Sequence, residues 1–202
     1  MQTNNSVRFF DEQFRRQVAS GERELNPFER AALPYLRGEV LDYGCGLGNL
    51  AVEAALRGCS VTALDASRAA ITHLASLARE ADLPLTAAEA DLRQHQIDGD
   101  YDVIACIGLL MFFDCPTAFR KLEELQAHVR PSGVVVVNVL IEGTTFMDMF
   151  SSEGHCLLRA DDLVQRFAGW EILSNTTDTF AAPGDTQKVF STVIARKPPP
   201  VA

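Results

Sequence analysis

Three glycines follow a short apolar stretch in the segment LDYGCGLGN at residues 41–49. Gly44, Gly46 and Gly48 fall between a predicted strand and a predicted helix. Glycine accommodates the backbone angles of such a turn, and it lets a ligand approach main-chain N–H groups without a Cβ in the way. The segment therefore predicts a strand-loop-helix site for a nucleotide or a nucleoside.

The spacing of these glycines is G-x-G-x-G. Dinucleotide-binding loops usually have G-x-G-x-x-G, and the phosphate-binding loop ends in Gly-Lys-Ser or Gly-Lys-Thr. The spacing therefore disfavours an NAD-dependent oxidoreductase, which stays as an alternative of low rank.

Three acidic residues accompany the glycine loop in a fixed order. Asp42 lies two residues before Gly44, Asp65 ends the predicted strand VTALD, and Asp91 lies in the segment AEADL. A carboxylate in the position of Asp65 can accept hydrogen bonds from both hydroxyls of a ribose. Each residue also has a purely structural alternative: an Asx turn for Asp42, a helix cap for Asp65 and a turn for Asp91.

Taken in order, the segments LDYGCGLGN, VTALD, ADL and YDVIACIGLLMFF resemble the class I S-adenosylmethionine-dependent methyltransferases. The resemblance implies that Asp42 holds the methionine end of the cofactor, that Asp65 binds the ribose, and that Asp91 accepts a hydrogen bond from the adenine amino group. It also implies that S-adenosyl-L-homocysteine is the product. The residues implied to bind the cofactor are Asp42, Gly44, Cys45, Gly46, Gly48, Asp65, Ala66, Asp91, Leu92 and Ile107.

The order of segments continues with LQAHVRPSGVVVVNVL, FAGWEIL and STVIARK, and over most of the chain it is similar to the tellurite-resistance methyltransferases. That similarity implies a small-molecule acceptor, either a chalcogen oxyanion such as tellurite or selenite, or a thiol. An oxyanion calls for positive charge, which that family carries on the loop before the last strand. Here residues 175–187 offer Asp178 and Asp185, with no Arg or His before Lys188.

Substitute cations could come from His155, Arg159 or Arg8, although a surface position is favoured for each. The catalytic residue stays unknown, with Glu142 and His155 as weak candidates, because a chalcogen or thiolate acceptor needs no strong general base. A non-catalytic module that binds the cofactor is the second alternative function.

The long segment 142–158 contains Phe146, Met147, Met149 and Phe150. It is expected to form either a lid or wall of the substrate site or a minor core. An N-P-P-Y or D-P-P-Y signature is absent after the strand that contains Ile107, which disfavours nucleic-acid bases as acceptors.

Strand-like and helix-like stretches alternate along the chain from about residue 39. This alternation predicts an α/β Rossmann-like fold with a seven-stranded, mostly parallel sheet and helices on both faces. Residues 1–202 are expected to form one domain, with an N-terminal helical cap at 1–36, the core at 37–196 and a loose tail at 197–202. Within the cap, residues 7–33 are expected to form one or two helices. The predicted strands are 39–43, 60–64, 85–89, 102–107, 134–140, 170–174 and 188–196, and the predicted core helices are 49–57, 67–81, 116–129 and 160–168.

Composition narrows the possible partners. The net charge of −9 disfavours binding to nucleic acid, and no apolar run is long enough to span a membrane. The five cysteines lack the spacing of a zinc site, so no metal is expected, and they are expected to be reduced, mostly buried thiols. Because no signal peptide is recognisable, we expect a cytoplasmic protein that is a monomer or a homodimer.

Overall fold

The computed structural model describes residues 5–20, 24–150 and 154–200. The strands are β1 (Glu39–Tyr43), β2 (Ser60–Asp65), β3 (Leu85–Glu89), β4 (Tyr101–Ile107), β5 (Val129–Leu140), β6 (Glu171–Ala182) and β7 (Thr186–Arg196). The α-helices are α1 (Asn5–Ser20), α2 (Pro27–Ala32), α3 (Asn49–Leu56), α4 (Arg68–Glu80), α5 (Cys115–Ala127) and α6 (Asp162–Gln165). Short 3₁₀ turns cover Leu33–Tyr35 and Leu110–Phe112.

The strands form one sheet in the order β3-β2-β1-β4-β5-β7-β6. Strands β1 to β5 pair in parallel, whereas β7 pairs antiparallel with both β5 and β6. The predicted fold class is therefore confirmed. The strand order reverses between β1 and β4, and a crevice at the carboxyl ends of strands is expected at such a point.

Both faces of the sheet are buried because successive side chains of a strand point to opposite faces. Leu41 and Ile104 belong to the cluster that packs against α5, whereas Val40 and Val103 belong to the cluster beneath α3 and α4. The valine-rich run in β5 is buried throughout, as expected for a central strand covered on both sides.

The predicted helix starts agree with the observed caps. The Ser67 hydroxyl accepts a hydrogen bond from the Ala70 N–H at the start of α4, and Asp114 caps α5 through the Thr117 N–H, with Pro116 in the first turn. Such caps satisfy backbone N–H groups that have no partner within the helix.

Most element bounds differ from the predicted ones by one or two residues, but β5 and β6 are much longer than predicted and α6 is much shorter. β5 begins at Val129 instead of residue 134, and β6 continues to Ala182 through the predicted loop 175–187. β6 is an edge strand with mostly exposed side chains, so its sequence lacks the apolar alternation that marks a half-buried strand. The predicted helix 160–168 is reduced to α6, a single turn at Asp162–Gln165.

The N-terminal region forms two helices, α1 and α2, as predicted, within the residues that the structure describes. Helix α2 begins with a capping box, in which Asn26 accepts from the Glu29 N–H and the Glu29 carboxylate accepts from the Asn26 N–H at 2.7 Å. Helix α1 contacts the core through Phe10, whose ring lies 5.2 Å from that of Phe112, and through a short hydrogen bond between Asp11 and Ser67.

The predicted loose tail begins at Lys197, whose side chain forms three hydrogen bonds with the core. Lys197 Nζ donates to the carbonyl oxygens of Gln126, Ala127 and Val129, at 2.9, 2.9 and 2.7 Å. Because these carbonyls end α5 and begin β5, Lys197 stabilises the carboxyl end of that helix. The division of the chain into cap, core and tail stays a prediction.

The expectation of five reduced thiols was wrong for one pair, since Cys115 and Cys156 form a disulfide. The bond joins the first turn of α5 to the segment before Leu158. Cys45, Cys59 and Cys106 are free and buried. Among the described residues, no cluster of three or more His, Cys, Asp or Glu could hold a metal, and no helix could cross a membrane.

Candidate active site

A cavity of about 530 Å³ lies at the carboxyl ends of the central strands. Its walls come from the loops after β1, β2 and β3, from the ends of β4, β5 and β7, and from α1 and α2. All ten residues that the sequence suggested for cofactor binding line this one cavity: Asp42, Gly44, Cys45, Gly46, Gly48, Asp65, Ala66, Asp91, Leu92 and Ile107. The structure brings them together from four separate segments, and their binding role stays a prediction.

The glycine loop connects β1 to α3 through left-handed backbone angles. Gly46 has φ +53° and Gly48 has φ +73°, a region that other residues rarely adopt. A Cβ on Gly48 would lie 2.4 Å from a methyl carbon of Leu74, whereas a Cβ on Gly46 would lie 3.1 Å from the ring of Phe14 in α1. Gly48 is therefore required for packing against α4, and Gly46 keeps space between the loop and α1.

Asp65 ends β2 and holds the loop in place. Its Oδ2 accepts a hydrogen bond from the Gly46 N–H at 2.9 Å, and its Oδ1 accepts from the Ser67 N–H at 2.8 Å. Burial raises the pKa of Asp65, and the hydrogen bonds from Ser67 and Gly46 oppose that rise. Each carboxylate oxygen has a second lone pair, so the structural bonds leave acceptor capacity toward the cavity.

Asp42 is the most deeply buried acidic group of the cavity, with 4% of its surface exposed. Its Oδ2 has no hydrogen-bond partner within the part of the chain that the structure describes. Burial raises the pKa of Asp42 to about 8, and the nearby charges of Glu29 and Asp65 add to this effect. A carboxyl group in this state favours a ligand that brings a cation or a hydrogen-bond donor.

Glu29, which was not among the predicted site residues, lines the same cavity from α2. Burial also raises the pKa of Glu29. Within the described ranges, neither Glu29 nor Asp42 forms a salt bridge. Among the described residues, the cavity therefore contains one buried carboxyl group, Asp42, and one half-buried carboxyl group, Glu29, neither of which forms a salt bridge.

The loop after β3 forms another part of the wall. The Asp91 Oδ1 accepts from the Arg93 N–H at 3.2 Å, and the Tyr43 hydroxyl donates to the Leu92 carbonyl at 2.6 Å. Tyr43 is fully buried, so this hydrogen bond fixes the turn that carries Asp91 and Leu92. Tyr43 follows Asp42 directly in the sequence, but only the fold shows its contact with residue 92.

The far wall is formed by β5 and β7, where Asn138 pairs with Thr192 and Leu140 pairs with Phe190. The Asn138 Nδ2 donates to the Thr192 Oγ1 at 2.9 Å, while the Asn138 Oδ1 has no partner among the described residues. Asn138 is 1% exposed and interrupts a run of valines, a signal that sequence reasoning could have used.

Lys188 also lines the cavity, two residues before Phe190 on β7. Its Nζ lies 4.7 Å from the centre of the Phe146 ring, and burial lowers its pKa. In the sequence, Lys188 is distinguished only as the first cation after an acidic segment. The antiparallel pairing of β5 with β7 places it in the cavity wall.

The weak catalytic candidates lie elsewhere. Glu142 and His155 are not among the residues that line the cavity, and both are exposed. The His155 ring packs against Phe150. Of the proposed substitute cations, Arg159 pairs with Asp162 at 3.2 Å, and Arg8 is exposed outside the cavity lining.

The segment 142–158 combines the two roles that the sequence left open, within its described part. Met149 lines the cavity, so this segment contributes to the wall. Phe146 and Phe150 are buried in the main core, whereas Met147 is exposed.

Comparison with known proteins gives a family match. A family model described as a methyltransferase domain matches residues 40–133. Hemagglutinin 1 of Eikenella corrodens is 30% identical over 172 residues, which cover 79% of this chain and 55% of that protein. The chain therefore spans about half the length of this relative.

Solved structures share the fold. The crystal structure of TehB from Haemophilus influenzae matches with a TM-score of 0.75 at 19% identity, covering 90% of this chain and 65% of that one. The N-methyltransferase NodS from Bradyrhizobium japonicum WM9, in complex with S-adenosyl-L-homocysteine, matches with a TM-score of 0.66 at 16% identity, covering 94% and 98%. At these identities the likeness shows the fold alone.

The residues of the cavity fit S-adenosylmethionine. The buried Oδ2 of Asp42, which lacks a partner among the described residues, suits the ammonium and sulfonium charges of this cofactor. The remaining acceptor capacity of Asp65 suits the ribose hydroxyls. The glycine loop leaves main-chain atoms accessible from the cavity.

Proposed function

We propose that this chain is a class I S-adenosylmethionine-dependent methyltransferase and that it transfers the cofactor's methyl group to a small-molecule acceptor. The observation that carries the proposal is the convergence of ten sequence-predicted residues on one cavity, whose lining includes the buried carboxyl of Asp42. The acceptor would lie at the other end, beside Asn138 and Lys188.

The protein's contribution to such a reaction is positioning. When bound, the cofactor supplies an electrophilic methyl group on a sulfonium, so the reaction mainly needs aligned and desolvated partners. Asp42 and Asp65 would hold the two ends of the cofactor, and Ile107 at the end of β4 would lie beside its methionine part. Helix α1 lies against the glycine loop through Phe14 and shields the cavity from water.

For the acceptor, we propose an electron-rich small molecule, either a thiol or a chalcogen oxyanion such as tellurite or selenite. A thiol or a chalcogen acceptor needs no strong general base, and the described lining offers carboxyl groups and Lys188 but no His or Tyr for that role. The fold likeness to TehB is compatible with a chalcogen acceptor. A non-catalytic module is the second candidate, because neither Glu142 nor His155 lines the cavity.

A cytoplasmic location and a monomeric or homodimeric state complete the proposal. The disulfide between Cys115 and Cys156 is the observation that weighs against a reducing compartment.

Calorimetry tests the cofactor first. We expect S-adenosylmethionine and S-adenosyl-L-homocysteine to bind with 1:1 stoichiometry and NAD⁺ to give no signal; binding of NAD⁺ alone would overturn the proposal. Methyl transfer is then measured with labelled cofactor on tellurite, selenite, neutral thiols and hydroxylated molecules. Cofactor binding without transfer to any acceptor class would favour the non-catalytic module.

A further inference from the structure

The cavity has two ends with different chemistry. The carboxyl groups of Asp42, Asp65 and Asp91 lie on or directly after β1, β2 and β3, whereas the cation Lys188 lies on β7, beyond β4 and β5 in the sheet. Among the described residues, the second cation of the lining is Arg93, which lies two positions after Asp91 and 5.6 Å from the Phe113 ring centre. Arg93 therefore belongs to the adenine end.

Lys188 forms no salt bridge with the described part of the protein. It is half-buried, and its ammonium group contacts the ring of Phe146. A partly buried cation without an anionic partner loses hydration that the protein does not replace. An anionic group on a ligand would supply the missing partner and would form a charge-assisted hydrogen bond.

Most side chains around Lys188 are aromatic or apolar. Glu29, which follows Phe28 on α2, also lines the cavity, and no salt bridge joins it to Lys188 among the described residues. Phe28 and Phe190 both line the cavity, with ring centres 4.8 Å apart, and Leu140 and Met149 extend this wall. A small inorganic oxyanion has several hydrated oxygens, and a wall of this kind with one cation would leave most of them unpaired. An organic anion would bury its apolar body against the rings and direct its charge toward Lys188.

Asn138 adds a polar contact on the same face. Its Oδ1 is buried without a described partner, next to Ile107 on the neighbouring strand. This oxygen can accept a hydrogen bond from an O–H, N–H or S–H group of an acceptor.

From these contacts we propose that Lys188 binds an anionic group of the acceptor, and that the acceptor is an organic anion with an apolar or aromatic body. Asn138 accepts a hydrogen bond from the same molecule. The inference rests on the proposed function and narrows its acceptor: a carboxylate on an apolar body fits this wall better than tellurite or selenite.

The test uses the full chain saturated with S-adenosyl-L-homocysteine and measures binding by calorimetry. The probes are matched pairs of carboxylate and amide, namely benzoate with benzamide, phenylacetate with phenylacetamide and indole-3-acetate with indole-3-acetamide, with tellurite as the inorganic oxyanion. We expect at least one carboxylate to bind about tenfold or more tightly than its amide.

Two variants assign that preference to one side chain. Lys188→Gln is expected to abolish the preference for the carboxylate and to leave S-adenosyl-L-homocysteine affinity within about twofold of wild type. Lys188→Arg should retain it. Arg93→Gln is the matched control, because it removes the other cation of the lining and should also retain the preference for the carboxylate.

Equal binding of carboxylate and amide, absence of binding by every probe, or a preference that persists in Lys188→Gln would overturn the proposal. Lys188-dependent binding of tellurite that is tighter than that of every carboxylate would also overturn it. Failure of S-adenosyl-L-homocysteine to bind is a different result, because it contradicts the proposed function itself.

Discussion

Replacing Asp42 by Asn is expected to stabilise the protein and to weaken cofactor binding. Asp42 is buried, and its pKa is raised to about 8, mainly by that burial. An unfolded chain would release this proton near the ordinary carboxyl pKa of about 3.9. Folding at neutral pH therefore requires a carboxyl group either to take up a proton or to remain charged without water, and Asn avoids both.

The size of the effect follows from proton linkage. The stability that protonated Asp42 contributes is fully present below about pH 4, and it is lost as the pH rises toward the folded-state pKa of about 8. Between these two pKa values, each unit of pH changes the free energy of unfolding by about 1.4 kcal/mol. Structural relaxation around the charged Asp42 makes the actual change smaller. We expect Asp42→Asn to gain about 2 kcal/mol at pH 7.5, a rise in Tm of about 4–8 °C.

Cofactor binding should show the opposite preference. The cationic methionine end favours the ionised carboxylate, so binding at pH 7 releases a proton. With a pKa of about 8, the ionised fraction rises about 30-fold between pH 6.5 and pH 9, and cofactor affinity should follow it. In Asp42→Asn, affinity should be weaker and nearly independent of pH over this range.

Thermal unfolding followed by circular dichroism measures the stability. Calorimetry with S-adenosyl-L-homocysteine in two buffers of different ionisation enthalpy measures the proton release. Asp98→Asn, the same change at an exposed position, is the matched control and should alter stability by less than about 0.5 kcal/mol. Wild-type affinity that is constant from pH 6.5 to 9, or a variant no more stable than wild type, would refute this account of Asp42.

Three further predictions concern the loop, the ribose site and the disulfide. Asp65→Ala should lower cofactor affinity by about tenfold or more in calorimetry, since two charged hydrogen bonds lose their acceptor; an unchanged affinity in a folded variant would contradict the ribose assignment. Gly46→Val should abolish cofactor binding, because residue 46 has φ +53° and a Cβ there would press on Phe14. The far-ultraviolet circular dichroism of the variant should stay close to that of wild type. Normal cofactor binding by the variant would show that the glycine loop is not part of the cofactor site. Replacing Cys115 and Cys156 by Ser should lower the free energy of unfolding by up to about 4 kcal/mol, as expected for a cross-link between residues 41 apart, and the difference should vanish when wild type is measured in dithiothreitol.

The sequence predicted the parts of the molecule that depend on local pattern. The glycine loop, Asp65 at the end of β2 and Asp91 after β3 are each positioned by the strand that immediately precedes them. Parallel strands bring such residues to the same edge of a sheet, so their order along the chain was sufficient to predict that they meet at one cavity, while their binding of the cofactor stays a prediction.

The acceptor end depends on pairing between distant segments. Lys188 and Phe190 enter the cavity because β7 runs antiparallel to β5, and no local pattern around residue 188 specifies that register. Glu29 reaches the cavity from α2, before the first strand of the sheet. The Cys115–Cys156 bond has the same origin, because cysteine counting does not specify which residues meet.

The position of α1 has a consequence for the timing of the reaction. Phe14 lies against the glycine loop, and Asp11 is bonded to Ser67 at the start of α4, so this helix lies over the part of the cavity that we propose holds the cofactor. Movements of such elements take microseconds to milliseconds and often limit turnover in enzymes with covered sites. We therefore expect the departure of S-adenosyl-L-homocysteine, and not the methyl transfer, to set the steady-state rate, which a burst of methylated product in the first turnover would reveal.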